Sequence, residues 1–125
     1  MKTVLVVDDD NDTRNILRLR LEREFGWHVA EASNGPEAVA LIQREPPDIV
    51  ILDWLMSGST GIEVLTIVRQ HMPTSQLPVI MMSGAEGPAV ESEAKALGVV
   101  AFLHKPIDFE ELKRSIQQVF PERRN

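Results

Sequence analysis

Ile49-Val50-Ile51-Leu52-Asp53 decides how this chain folds. An unbroken apolar run, rich in β-branched residues and without polar alternation, predicts a strand buried on both faces. Such strands belong to parallel sheets covered by helices. The run stops on a carboxylate. Toward the N-terminus, Val4-Leu5-Val6-Val7 does the same and stops on Asp8-Asp9. Toward the C-terminus, Val79-Ile80-Met81-Met82 stops on Ser83, and Ala101-Phe102-Leu103-His104 runs into Lys105-Pro106. Laid side by side as parallel strands, these runs gather three carboxylates, one ammonium and one hydroxyl at a single sheet edge. In open α/β sheets ligands bind at that edge. Packed carboxylates repel one another unless a cation stands among them, so the site calls for a divalent cation.

Helical periodicity fills the gaps between the runs. Residues 3–7 read as a strand, and residues 12–25 as a helix with Leu17, Leu21 and Phe25 on one face, capped by Asn11. Residues 28–32 alternate, which suits a strand nearer the sheet edge. Asn34-Gly35-Pro36 opens a helix to about residue 44, and Pro46-Pro47 ends it. A strand at 48–52 precedes a helix begun by the capping box Thr60/Glu63 and finished before Pro73. After the strand at 78–82, Gly87-Pro88 opens a helix with Val90, Ala94 and Leu97 inward, closed by Gly98. The strand at 99–104 leads to a last helix capped by Asp108. Glu111 completes its box, Ile107 and Leu112 form a staple, and Leu112, Ile116 and Val119 form the buried stripe. The strand–helix unit thus occurs five times, which predicts an α/β fold with a parallel sheet and helices on both faces. Residues 1–120 form one domain, and 121–125 a short polar tail or the start of a linker.

Composition narrows the function. The chain has 125 residues, 43% hydrophobic and 26% charged, as expected for one globular domain. A formal charge of −6 argues against a nucleic-acid-binding surface. Arg14, Arg18, Arg20 and Arg23 do cluster, but Glu22 and Glu24 interleave with them, as on a solvated helix face. The absence of cysteine removes disulfides, thiol catalysis and cysteine-bound zinc. With no signal peptide and no membrane-spanning run, the expected location is cytoplasmic, away from any membrane.

The phosphate loops of common α/β families are missing. No glycine-rich fingerprint follows the first strand, no GxxxxGK[ST] occurs, and the loop after the first strand is acidic, unlike a flavin phosphate site. With acids after strands one and three and Lys105-Pro106 after strand five, the chain resembles the receiver domain of two-component response regulators over residues 3–120. The resemblance implies a flavodoxin-like, five-stranded parallel sheet of order 2-1-3-4-5 with five helices on both faces. It also implies a signalling phosphoacceptor rather than an enzyme, beyond catalysing its own phosphorylation and slow autodephosphorylation.

Residue by residue, the resemblance makes Asp53 the acceptor of a phosphoryl group from a histidine kinase or phosphotransfer protein. Asp9 becomes a direct Mg2+ ligand, with Asp53 and the backbone carbonyl of Leu55, and Asp8 holds metal-bound water. Lys105 pairs with the phosphoryl group, across a cis Lys105–Pro106 bond, and Ser83 swings toward it. Phe102 is the aromatic switch residue. The helix 4–strand 5–helix 5 face would carry the signal to an output protein or a fused output domain, with no direct contact to nucleic acid. Leu55 and Ala85 border the path of a hydrolytic water, and neither side chain can hydrogen-bond it.

Taken singly, each of these residues has a plainer explanation. An acid at a strand end is usually solvated or caps a helix, as we read Asp10 and Asp12. Met56, Met81 and Met82 suit packing, Trp54 the mouth of the site, and Trp27 ordinary packing. His28, His71 and His104 lack metal-ligand spacing. The chain also departs from the family. Met56-Ser57-Gly58-Ser59-Thr60-Gly61 stands where Met-Pro-x-x-Asp-Gly is usual, which predicts a looser loop, and Gly84 stands where alanine is common.

Two other functions compete. A Mg2+-dependent haloacid-dehalogenase-type phosphohydrolase needs Asp-x-Asp-x-Thr/Val after the first strand. Here Asp8 and Asp10 are followed at the last position by Asp12, and Asp9-x-Asn11 lacks the second acid. A calcium loop from Asp8, Asp10 and Asp12 fails at Thr13 and Leu19, where glycine and glutamate belong.

Overall fold

A computed structural model describes residues 2–84 and 88–121. Ala85, Gly87 and the tail beyond Pro121, each the subject of an expectation above, lie outside the described residues. The elements run β1 (Thr3–Val7), α1 (Asn11–Phe25), β2 (His28–Ala32), α2 (Gly35–Arg44), β3 (Ile49–Asp53), β4 (Leu55–Met56), β5 (Ser59–Thr60), α3 (Gly61–Arg69), β6 (Val79–Ser83), α4 (Pro88–Ala96), β7 (Ala101–His104) and α5 (Phe109–Val119).

Five parallel strands form one sheet in the order β2-β1-β3-β6-β7. Counting only these strands, this is the expected order 2-1-3-4-5. The central runs are sealed: β3 and β6 are buried throughout their length. The alternating β2 lies at the edge, with His28 exposed and Val29 and Ala32 buried. Successive strand residues point to opposite faces, so the sheet has two cores. Leu5, Val7, Val50, Leu52 and Met81 pack with Ala38, Val64, Leu65 and Ala94 on the α2–α3–α4 side. Val4, Val6, Ile49, Ile51 and Met82 pack with Leu17, Leu21, Leu112 and Ile116 on the α1–α5 side. Met56, Met81 and Met82 are core residues. Trp27 meets the Phe25 ring at a tilt and the Phe120 ring edge-on, with centroids 4.8 and 5.7 Å away, so it packs as expected.

Three local expectations change. Asp10, not Asn11, caps α1: it is extended (φ −91°, ψ 115°) and its carboxylate accepts from the Thr13 N–H. Helical backbone begins one residue earlier than the apolar pattern showed, because polar first-turn residues carry no periodicity signal. In α5 the Asp108 side chain accepts from Glu110 N–H, and no Glu111 box closes with it. Between β3 and α3 lies a hairpin that the sequence did not suggest, with Leu55 opposite Thr60 and Met56 opposite Ser59. The Thr60/Glu63 capping box does start α3. Asn34 caps α2.

The register brings the strand ends level. Val7 lies beside Leu52, Asp53 beside Met82, and Ser83 beside His104. The residues following β1, β3, β6 and β7 therefore meet at one edge. The chain order is reversed there, since β1 connects outward to β2 and then crosses back to β3.

Candidate functional site

Asp8 follows β1 and has no exposed surface. Its N–H donates to Ala32 O, tying it to the edge strand at 3.1 Å. One carboxylate oxygen accepts from the Asp10 N–H at 2.9 Å, and the other from Lys105 Nζ at 2.9 Å. Asp53 closes β3, 4% exposed, and its Oδ1 lies 3.3 Å from the same ammonium. Asp9 is exposed on the following loop, and its Oδ2 accepts from the N–H and the hydroxyl of Ser57 at 2.9 and 3.1 Å. Asp8, Asp9 and Asp53 each offer an oxygen within 4.8 Å of the others.

Electrostatics follow from this packing. Burial, and secondarily the charge on Asp8, push the Asp53 carboxyl up to about 6, against the pull of Lys105. Burial by itself presses the Lys105 ammonium down, but the hydrogen bond to Asp8 and the charges of Asp53 and Asp8 prevail and hold it above its ordinary value. One ammonium between two acids leaves an excess of negative charge. Three carboxylate oxygens at this spacing form a hard, anionic donor set that fits a small divalent cation.

The other expected residues fall around this centre. Ser83 is fully buried at the end of β6, and its carbonyl accepts from the Lys105 N–H at 2.8 Å. The Lys105–Pro106 bond is cis. Phe102 is half-buried, beside Met81 in register, with its ring 5.5 Å from that of His104. Leu55, two residues beyond Asp53, is 59% exposed. Trp54 is half-buried against the α3-side core.

Besides Ser57, two supporting residues were given no role at the site by the sequence reading. Arg14 donates to the Asp8 carbonyl at 2.7 Å and pairs with Glu31 at 3.1 Å, while also reaching Asn11. Arg18 pairs with the same glutamate at 3.2 Å, so this part of the arginine cluster is ion-paired to β2. Gly61 is the second. A Cβ there would stand 2.5 Å from the Asp53 carbonyl oxygen and 3.2 Å from Trp54 Cα. Its N–H donates to Trp54 O at 2.6 Å, which seats α3 directly on the end of β3. Its sequence signals were a glycine just after a capping threonine and its match to the last glycine of the family's Met-Pro-x-x-Asp-Gly pattern.

A family model described as the response regulator receiver domain matches residues 4–117. The chain belongs to that family. This receiver is 34% identical to the chemotaxis protein CheY of Pseudomonas aeruginosa, with 94% of each chain covered. It is 30% identical to sporulation initiation phosphotransferase F of Bacillus subtilis, covering 98% of this chain and 96% of that one. Among solved structures, the response regulator TrrA of Thermotoga maritima, in complex with Mg2+ and BeF, superposes with a TM-score of 0.84 at 29% identity. That match covers 96% of this chain and all 100% of the other. Other relatives are longer, and the chain spans 51% and 23% of two of them.

Receivers are signalling phosphoacceptors, not classical enzymes, and act with histidine kinases or phosphotransfer proteins and with output domains. They generally bind Mg2+. Nothing supports the dehalogenase-type hydrolase: Asp10, its second acid, is occupied in capping α1. Among the described residues no helix is long and apolar enough to cross a membrane.

Proposed function

We propose that Asp53 accepts a phosphoryl group from a phosphohistidine on a histidine kinase or phosphotransfer protein. One observation carries this reading: the Lys105 ammonium lies between Asp8 and Asp53, within reach of both. A carboxylate oxygen of Asp53 attacks phosphorus, the O–P bond forms as the P–N bond breaks, and the electron pair returns to the imidazole nitrogen. Asp53 remains mostly ionised at neutral pH, so the nucleophile is available. The step brings anion onto anion, and its catalysis is positioning and charge neutralisation. Lys105 supplies one positive charge from the β7 side. Asp8, Asp9, Asp53 and the Leu55 carbonyl would hold Mg2+, which when bound neutralises phosphoryl oxygens. Ser83, at the adjoining strand end, moves to donate to the new phosphoryl oxygens. Phe102 follows into the space vacated, which reshapes the α4–β7–α5 face read by an output partner.

Intact-mass measurement tests the acceptor. With Mg2+ and a small-molecule phosphodonor the chain gains one phosphoryl group, and Asp53→Asn gains none, because an amide forms no acyl phosphate. Equal labelling of the variant overturns the assignment. For the metal, added Mg2+ changes Trp54 fluorescence in the unaltered chain and in Asp12→Ala, but not in Asp9→Ala. The reverse pattern places the cation elsewhere.

A further inference from the structure

Arg69 is the last residue of α3, and its side chain leaves that helix to reach the end of another. Its Nε donates to Leu97 O at 2.7 Å, and one terminal nitrogen reaches Gly98 O at 3.3 Å. The other terminal nitrogen donates to Leu77 O and Met72 O at 2.8 and 3.2 Å. Thr74, in the loop between α3 and β6, adds its hydroxyl to Gly98 O at 3.1 Å. Burial presses the half-buried guanidinium below its ordinary value, with no acid among the described residues to offset it. Its partners are backbone carbonyls instead. Leu97 O and Gly98 O are those on which α4 ends: the chain turns at Gly98, φ +81°, and the Val99 N–H donates back to Ala94 O. Carbonyls at a helix C-terminus lack intrahelical partners and favour a cation. This end of α4 lies at the sheet edge away from the acids, because the Val100 N–H donates to Val79 O where β6 begins. The helix's other end follows Ser83, on the side of the site.

We propose that Arg69 makes the C-terminal end of α4 a fixed pivot, so that charge arriving at Asp53 displaces the helix at its site end while its last turn stays in place. This rests on the reading of Ser83 and Phe102 as the switch. A planar guanidinium fixes direction as well as distance, and here it ties α4 to both α3 and the entry to β6. Without it, the last turn of α4 is free to shift with the rest of the helix.

The test follows amide signals of the full 15N-labelled chain by NMR, with and without Mg2+ and beryllofluoride. In the unaltered chain Ser92 and Glu93, in the first half of α4, shift on binding, as does Phe102. Gly98, Val99 and the Arg69 Nε–H do not. In Arg69→Gln, Gly98 and Val99 shift on binding as well. Thr74→Val removes one donor to Gly98 O, shows a smaller movement there, and decides the matter should Arg69→Gln fail to fold. A purely structural role for Arg69 lowers the unfolding midpoint and leaves the bound-minus-free difference at Gly98 at zero, which overturns the proposal. Equal movement at both ends of α4 in the unaltered chain leaves the switch standing and removes the pivot. No movement at Ser92, Glu93 or Phe102 removes both.

Discussion

Lys105 Nζ donates to Asp8 Oδ2 at 2.9 Å, joining residues 97 apart in sequence. Their strands are not neighbours: β3 and β6 lie between β1 and β7. The long lysine stem crosses that gap and brings its charge to an acid with no exposed surface. A buried carboxylate is costly unless paired. The same ammonium lies 3.3 Å from Asp53, so one cation serves two acids and Asp53 is left under-compensated.

That imbalance gives a pH dependence. Asp53 has a folded-state value of about 6 against an ordinary 3.8, so the folded chain holds its proton more tightly than the unfolded chain. Between those values the unfolded state binds fewer protons, and stability falls as pH rises. The full loss, on the order of 3 kcal/mol, is in force above the folded value. Asparagine never ionises and escapes it. In metal-free buffer near pH 7.5, Asp53→Asn should melt several degrees higher than the unaltered chain, and the difference should shrink toward about pH 4. A variant that melts no higher at the upper pH contradicts the account.

Gly61 is the position where a single methyl group does most damage near the site. The clash of its Cβ is with backbone, 2.5 Å from Asp53 O, and cannot be relieved by a rotamer change. Gly61→Ala should cost about 1–3 kcal/mol and reduce phosphorylation by displacing the end of β3. Gly84→Ala is the control, because among the described residues the nearest atoms to its Cβ are Lys105 Cβ and Cδ at 4.0 Å. That change should alter stability by less than about 0.5 kcal/mol. Denaturant unfolding of both variants checks the contrast.

For the switch, Phe102 is half-buried against the α2–α3–α4-side core, so its ring still has exposed surface to lose. Structures of the chain alone and with Mg2+ and beryllofluoride should show Phe102 more buried in the second, with Ser83 shifted toward Asp53. Moving a population from 1:99 to 99:1 takes about 5.5 kcal/mol of differential binding. A smaller bias and a mixed resting ensemble are expected. One unchanged Phe102 rotamer in both states rules out this route.

Leu55 carries a prediction about how long the signal lasts. It is 59% exposed beside the acceptor, and its side chain has no group to align a water for in-line attack. Loss of positioning slows phosphoryl transfer to water, so the phosphorylated form should be long-lived. Leu55→Asn, alone or with Ala85→Glu, should shorten it. The decay of phosphorylated protein after donor removal, at constant Mg2+, measures this. Equal or slower decay shows that water access is not limiting.

Local pattern by itself determined the five strands of the parallel sheet, the helices and their alternation. Ile49–Asp53 has nowhere to go but the middle of a parallel sheet, and Thr60/Glu63 carries its own capping chemistry within one helical turn. The acids at the ends of β1 and β3 and the lysine after β7 were legible for the same reason, since each directly follows an apolar run. What periodicity does not encode is which strand end faces which. The convergence of Asp8, Asp53 and Lys105 depends on the crossover that sets β1 beside β3. The contacts of Arg14 with the Asp8 carbonyl, of Ser57 with Asp9 and of Gly61 with the Asp53 carbonyl came only from tertiary structure. Each is a contact at hydrogen-bond or van der Waals range, which depends on how α1, the β4–β5 hairpin and α3 dock against the sheet. A sequence period constrains the direction of a side chain along its own element, whereas the docking of elements sets the last few ångströms between them.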